Sequence, residues 1–152
     1  MRRSVSTNLL AIGTALLLLA SRAAAEQNTT NAYLIVLGRF DDARASAREA
    51  LHVTCELGNA CETITAVQHL LAAAALGSTT QDRGQVRRIT GLFGFVQGAL
   101  LAHPPRDYTE QQEYDKVEAS LRSIIDDDQF EKLTAEGRGW SVDQTVAEAV
   151  DI

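Results

Sequence analysis

Hydrophobic residues recur at spacings of three and four along most of the chain, which is the period of an amphipathic α-helix. The clearest stripe contains Phe40, Ala43, Ala47, Ala50 and Leu51. Most of these residues are alanines, and small side chains let a neighbouring helix approach closely. We therefore expect a pair of helices that packs tightly across alanine residues.

Glycine and acidic residues indicate where the helices begin and end. Gly38 can adopt the left-handed backbone that ends a helix, and Asp41 and Asp42 suit the positive end of the next helix. A second apolar helix ends in Leu-Gly at Gly77, which predicts two helix-turn-helix units. Polar residues 78–82 and the proline-containing segment 103–107 are predicted loops. Predicted helices cover residues 26–37, 40–57, 61–76, 83–102, 108–125 and 126–137, and a last helix opens at Ser141 with Gln144 at capping-box spacing.

Glycines on one face of the fourth of these helices predict a smooth groove. Gly91, Gly94 and Gly98 follow one another at spacings of three and four. Each costs about 0.5–1 kcal/mol of helix stability relative to alanine. A membrane-type glycine motif is disfavoured because Arg87 and Arg88 interrupt any apolar span. We expect a neighbouring helix to pack into the groove.

Composition agrees with one helical domain and argues against nucleic-acid binding. The chain has 152 residues, of which 45% are hydrophobic and 5% aromatic, and its formal net charge is −6. Low aromatic content with abundant alanine and leucine favours helices over sheets. Such an acidic surface repels phosphate backbones, and the sequence offers no compensating basic face.

The N-terminal residues 1–25 have the three parts of a secretory signal. Arg2 and Arg3 precede an apolar run at residues 9–20, and alanines at residues 23–25 form a small-residue cleavage site. The apolar run is too short to span a bilayer comfortably. We expect export, with no stable membrane span after cleavage and with residues 26–152 as a single helical domain. In the alternative, residues 1–25 form one more helix of a cytoplasmic helical array.

The stretch from residue 37 to 51 resembles the second helix of a tetratricopeptide repeat. The residues that match the small and aromatic positions of the family are Gly38, Phe40, Ala43, Ala50 and Leu51. Ala47 departs from the pattern, since the family commonly has an aromatic residue there. The resemblance implies a non-enzymatic, all-α, tetratricopeptide-like array of antiparallel helical hairpins with C-terminal capping helices.

The second half resembles the C-terminal end of large bacterial transcriptional regulators. The resemblance is carried by RITGLFGFVQGALL, by YTEQQEYDKVEASLRSII and by the segment from residue 137 to 150. In that family a DNA-binding domain and an ATPase domain precede tetratricopeptide-like helices, so the resemblance implies a sensing or protein-contact region. A phosphate-binding loop is missing, because Lys116 and Lys132 are the only lysines and neither follows a glycine. We therefore expect no ATPase activity and no cofactor.

The repeat pattern places a protein-binding groove on the face shared by the helices at residues 26–37 and 61–76. Alanine-rich walls leave room for a helix or peptide of a partner protein. The residues predicted to line this groove are Asn31, Leu34, Ala66, His69 and Ala73.

Cysteine and histidine residues carry the alternative chemistry. Cys55 and Cys61 flank a turn between two helices, and in an oxidising compartment they could form a disulfide. With His52 and His69 they could also supply four zinc ligands, although Cys61 and His69 lie about two turns apart on one helix, which is too far to share a metal easily. The alternative functions are thus a small exported metal or redox protein, or a truncated regulator without a function of its own.

Overall fold

The computed structural model of the protein describes residues 3–77, 82–100 and 108–152, with side chains from residue 14 onward, and these ranges are helical with no strand. Residues 78–81 of the first predicted loop, the whole second loop at residues 103–107, and residues 101–102 at the end of the helix predicted over 83–102 lie outside the described residues. The helices are α1 (Arg3–Val36), α2 (Phe40–Glu56), α3 (Ala60–Gly77), α4 (Arg83–Leu100), α5 (Tyr108–Ile124), α6 (Asp127–Arg138) and α7 (Val142–Val150). The prediction of an all-α protein is confirmed.

Helix ends lie where glycines and capping side chains were predicted. Gly38 has φ of +71° and Gly58 has φ of +63°, which is the left-handed region that ends α1 and α2. The Ser141 hydroxyl accepts a hydrogen bond from the backbone N–H of Gln144 at 3.1 Å and so opens α7. Asp126 caps α6 in the same way through the N–H of Gln129 at 2.8 Å. The acidic run that begins at Asp126 therefore has a structural role at a helix start.

The alanine stripe of α2 packs against α3 as predicted. Ala43, Ala47 and Ala50 have no exposed surface, and α2 and α3 form the most extensive helix contact in the described structure. A short turn at residues 57–59 joins the two helices.

α3 is the central helix of the fold, because other helices cover it on every side. It contacts α1, α2, α4, α5 and α7, and its buried residues run almost without interruption from Thr63 to Ala75. The sequence pattern predicted only one buried face for this helix. The prediction was incomplete because small alanines suit both a closely packed surface and an open one.

The glycine groove of α4 receives α6. A Cβ atom added at Gly94 would lie 2.7 Å from the Cα of Thr134, and one added at Gly137 would lie 2.7 Å from the carbonyl carbon of Gly91. The Trp140 ring covers Gly91 from the other side. The expected packing of a neighbouring helix into the groove is confirmed, and the two backbones are in direct contact.

α1 is longer than predicted. The helix expected from residue 26 is the C-terminal part of one helix that starts at Arg3. Helix α1 contacts the rest of the domain at Ser21, whose hydroxyl accepts a hydrogen bond from Asn59, and Ala24 is buried. By contrast, the leucines at residues 16–19 are all more than half exposed. No described helix is long and apolar enough to cross a bilayer.

In two helices near the C-terminus, α5 and α7, the buried residues differ from those that the spacing of apolar residues indicates. Ile124 follows the buried Val117 and Leu121 at helical spacing but is 48% exposed, because α5 ends there and the chain turns towards α6. In α7 the buried residues are Thr145 and Ala149, whereas Val142 and Val150 are exposed. The cap nevertheless closes the core, since the side chain of Ile152 is buried beyond the end of α7.

Candidate functional site

Four of the five residues of the predicted groove are buried, and α5 covers α3 at His69. Asn31, Ala66 and Ala73 have no exposed surface, and His69 is 1% exposed. Leu34 is partly buried against the core. In this conformation the face has no free surface for a partner, so binding there stays a prediction that would require α5 to move.

A buried polar contact holds α5 against α3. His69 Nδ1 lies 3.0 Å from Glu113 Oε2 and 3.1 Å from Oε1, with both side chains almost fully buried. The side-chain amide of Gln68 donates to the backbone oxygen of Glu110 at 3.3 Å and contacts Glu113 Oε1 at 3.4 Å. The carboxylate of Glu113 therefore accepts from two residues of α3, which fixes the position of α5.

Two asparagines lie on the buried face of α1. The amide of Asn28 donates to Glu62 Oε2 at 2.8 Å and to the backbone oxygen of Glu62 at 3.2 Å. Its side-chain oxygen has no hydrogen-bond partner among the described residues, and neither polar atom of the Asn31 side chain has one. Unpaired buried amides of this kind cost about 1–3 kcal/mol each.

A polar cavity of about 270 Å³ opens between α1, α3 and α5. Asn28, Glu62, His69 and Glu110 contribute polar groups to its wall, and Tyr33 lies at its edge with 66% of its surface exposed. Among the residues that the structure describes, no lysine or arginine lines it. We refer to this space as the polar cavity.

An apolar groove of about 640 Å³ adjoins the polar cavity along the same side of the molecule, with Thr109 lining both. Its walls come from the end of α1, the start of α2, the end of α3 and the exposed side of α5. The apolar residues that line it are Ile35, Val36, Phe40 and Leu76. We refer to this space as the apolar groove, and to the two spaces together as the α1–α5 seam.

The cysteines are free thiols, both exposed, and they are not at disulfide distance. The possible disulfide between Cys55 and Cys61 is therefore not formed in this conformation. Cys55 lines a shallow pocket against α7. Partial burial there, and to a lesser extent the carboxylate of Asp143, raises the pKa of the Cys55 thiol above its ordinary value of 9.0.

The four candidate zinc ligands do not converge. His52 is an exposed residue of α2 that lies 3.5 Å from Glu56, whereas His69 is buried in α3 beside Glu113. No group of three or more histidine, cysteine, aspartate or glutamate side chains suited to a metal ion occurs within the described parts of the chain.

Sequence analysis placed Asn31 in its predicted groove but missed two other polar residues of this side of the molecule, Asn28 and Glu113. Asn28 and Asn31 fall on the same helical period as the buried Ala24 and Ile35. Glu113 likewise precedes Val117 by four residues on the inward face of α5. Polar residues at positions where the period demands apolar ones were the available signal. Comparison of the chain with protein-family models, curated proteins and solved structures gave no match.

Proposed function

We propose that the protein is a non-enzymatic interaction module and that its partner is a short amphipathic helix of another protein, bound in the apolar groove. The observation that carries the proposal is a run of large apolar side chains left in solvent beside that groove. Tyr33, Val36 and Leu37 are 66%, 63% and 70% exposed.

The spacing and setting of these residues support a helical partner. They lie at the end of α1, and Val36 also forms part of the groove wall. Phe40 and Leu76 continue the apolar surface into the groove. A partner helix that placed side chains at spacings of three and four along this surface would bury both the groove and its exposed rim.

Charge favours a partner with basic residues beside its apolar face. The chain carries 20 acidic and 14 basic side chains. The two basic residues of α5 are Lys116 and Arg122, and Arg122 is already paired with Glu118, Asp127 and Glu131. These three carboxylates raise the Arg122 pKa well above its usual value, so the residue stays charged and engaged. The acidic surroundings would speed the approach of a basic partner.

We extend the proposal to the arrangement of the helices. Close contact of α2 and α3 across alanines, and left-handed glycines at Gly38 and Gly58, support a tetratricopeptide-like hairpin in α2 and α3. The resemblance to the C-terminal helices of bacterial regulators supports the same role, because those helices act as a contact region.

Export of the protein is also proposed. Solvent exposure of the leucines at residues 16–19 supports a signal segment, since these side chains take little part in the core. Cleavage after Ala25 would leave Asn28, Val36 and the rest of the seam on the mature chain. If the protein instead stays in the cytoplasm, the groove and its proposed partner class are unchanged.

Site-specific photocrosslinking tests the proposal. A photoreactive phenylalanine analogue replaces Val36 in the protein expressed in its native host, and the same analogue replaces Val150, an exposed valine on α7, as the control. We expect a discrete crosslinked protein from position 36 and none from position 150. The crosslinked peptide, identified by mass spectrometry, should be an amphipathic segment with basic residues.

Binding of that segment is then measured by fluorescence anisotropy with purified variants. Val36→Glu should weaken binding by about tenfold or more, as for a central apolar contact, and Val150→Glu should have no effect. Equal crosslinking at both positions, or unchanged binding to Val36→Glu, would show that the groove is not the interaction site.

A further inference from the structure

The predicted cleavage site lies inside α1 and not at a free end of the chain. Cleavage after Ala25 is expected from the alanines at residues 23–25, and α1 (Arg3–Val36) continues as one helix through this site. The leucines at residues 16–19 are exposed, but Ala24 is only 1% exposed. Helix α1 is therefore buried against the domain on the N-terminal side of the bond that a signal peptidase would cut.

The bond to be cut is held in helical geometry. The carbonyl oxygen of Ala25 accepts the side-chain hydroxyl of Thr29 at 3.1 Å, in addition to the backbone hydrogen bond that an α-helix places there. A protease must bind this oxygen with its own hydrogen-bond donors, since the oxygen becomes negatively charged when the carbonyl carbon is attacked. Both hydrogen bonds within α1 therefore have to break before Ala25 can enter an active site.

Contacts with the rest of the domain hold α1 on both sides of this bond. Before it, the Ser21 hydroxyl accepts a hydrogen bond from Asn59 at 3.2 Å. After it, the amide of Asn28 donates to Glu62 Oε2 at 2.8 Å. From Ser21 to Asn28 a helix rises about 10 Å, whereas an extended chain spans about 23 Å. The segment cannot become extended in a protease while both contacts are kept.

We propose that docking of α1 and cleavage after Ala25 exclude each other, so that only a chain cut before α1 docks becomes the mature form. Proteases cut folded proteins through locally opened states, and here the opened state must give up the contacts of Ser21, Ala24 and Asn28. A chain that folds first keeps residues 1–25 as the start of α1. The inference rests on the export proposed above, and it makes the signal segment and the additional helix two fates of the same residues.

The order in which the chain and the protease meet tests the proposal. The full chain is made by cell-free synthesis, with the same detergent micelles present throughout, and a purified signal peptidase is either present during synthesis or added after release and folding. Intact-mass spectrometry measures the fraction of the protein that begins at Glu26. We expect this fraction to be at least about tenfold larger when the peptidase is present during synthesis, because the opened state is rare in the folded chain.

Two glutamine variants, treated with the peptidase after folding, identify the cause of the protection. Ala24 is the middle residue of the small-residue site, where the side chain is free to vary. Ala24→Gln therefore keeps the site but puts a polar side chain at a buried position, and it should be cut about tenfold faster than the parent. Arg22→Gln introduces the same residue where the side chain is 78% exposed, and it should be cut as slowly as the parent. The order-of-addition experiment uses the parent chain, so it stays decisive if Ala24→Gln does not fold.

Failure of the export proposal can be distinguished from failure of this inference. If the chain is not cut even during synthesis, residues 1–25 are not a signal, and both are overturned. If the peptidase cuts equally well during synthesis and after folding, or cuts Arg22→Gln as fast as Ala24→Gln, only the inference is overturned. The apolar groove is tested separately, because crosslinking at Val36 does not involve residues 1–25.

Discussion

The contact between α4 and α6 and the seam between α1 and α5 represent two opposite ways to join helices in one small fold. At the first, glycine backbones touch and leave no space for a side chain at Gly94 or Gly137. At the second, two cavities lie along the junction and unpaired amides are buried next to them. Close packing stabilises a fold, whereas cavities and unpaired polar groups cost stability. The seam is therefore where we expect binding.

The largest effect should come from the buried contact of Glu113 that holds α5 against α3. Glu113→Ala removes the acceptor for His69 and Gln68 and should lower the free energy of unfolding by about 3–5 kcal/mol, as for a broken buried ion pair. Glu113→Gln keeps hydrogen-bonding capacity and should cost less. Urea denaturation followed by far-UV circular dichroism gives both values.

An exposed ion pair supplies the control for Glu113. Arg39→Ala breaks the contact with Asp42, in which both side chains are more than half exposed, and should change stability by about 0.5 kcal/mol at most. If Glu113→Ala costs no more than Arg39→Ala, α5 is not held by this contact. The seam would then be open in solution, and the covered face of α3 would become available to a partner.

Two glycines of α4 test the opposite interface. Gly94→Ala places a Cβ atom against the backbone of Thr134, which cannot move without separating α4 from α6, so we expect a loss of about 2–3 kcal/mol. Gly98→Ala meets only the flexible side chain of Arg138 at 3.4 Å and should gain about 0.5–1 kcal/mol from helix propensity. The same urea titrations, with Trp140 fluorescence as a local signal, compare them.

The signs of the two changes in the free energy of unfolding, for Gly94→Ala and for Gly98→Ala, decide how this interface is interpreted. Opposite signs for the two alanine variants would confirm direct backbone contact at Gly94. Equal effects would show that α4 and α6 are further apart in solution, and the contrast with the seam would disappear.

The sequence predicted these two regions unequally well. Helix ends followed from local chemistry, since Gly38, Gly58 and Ser141 act within a few residues of their own position. The groove in α4 was also readable, because absent side chains at helical spacing have few other structural uses. The position of α5 could not be predicted, because the repeat pattern implied an open face on α3. Nothing in the segment around Glu113 shows that its carboxylate pairs with a histidine 44 residues away.

The polar cavity was missed for a related reason. Asn28 is a residue type that is common on helix surfaces, and only its helical period with the buried Ala24 and Ile35 indicated that its face turns inward. The polar lining of the cavity depends on which helices meet there. That information is contained in long-range packing and in no single segment.

The last prediction concerns Asn31, whose replacement should change stability less than that of Glu113 or Gly94. It has no exposed surface and both of its side-chain polar atoms are unpaired among the described residues, so Asn31→Leu replaces a buried amide by an apolar side chain of similar size. We expect the free energy of unfolding to rise by about 1–2 kcal/mol. Asn28→Leu is the matched change one turn earlier, and it should destabilise because Glu62 loses its hydrogen bonds. If the variant is instead less stable than the parent, Asn31 has a hydrogen-bonding partner in solution. Fewer buried polar groups would then lack hydrogen bonds in this part of the molecule.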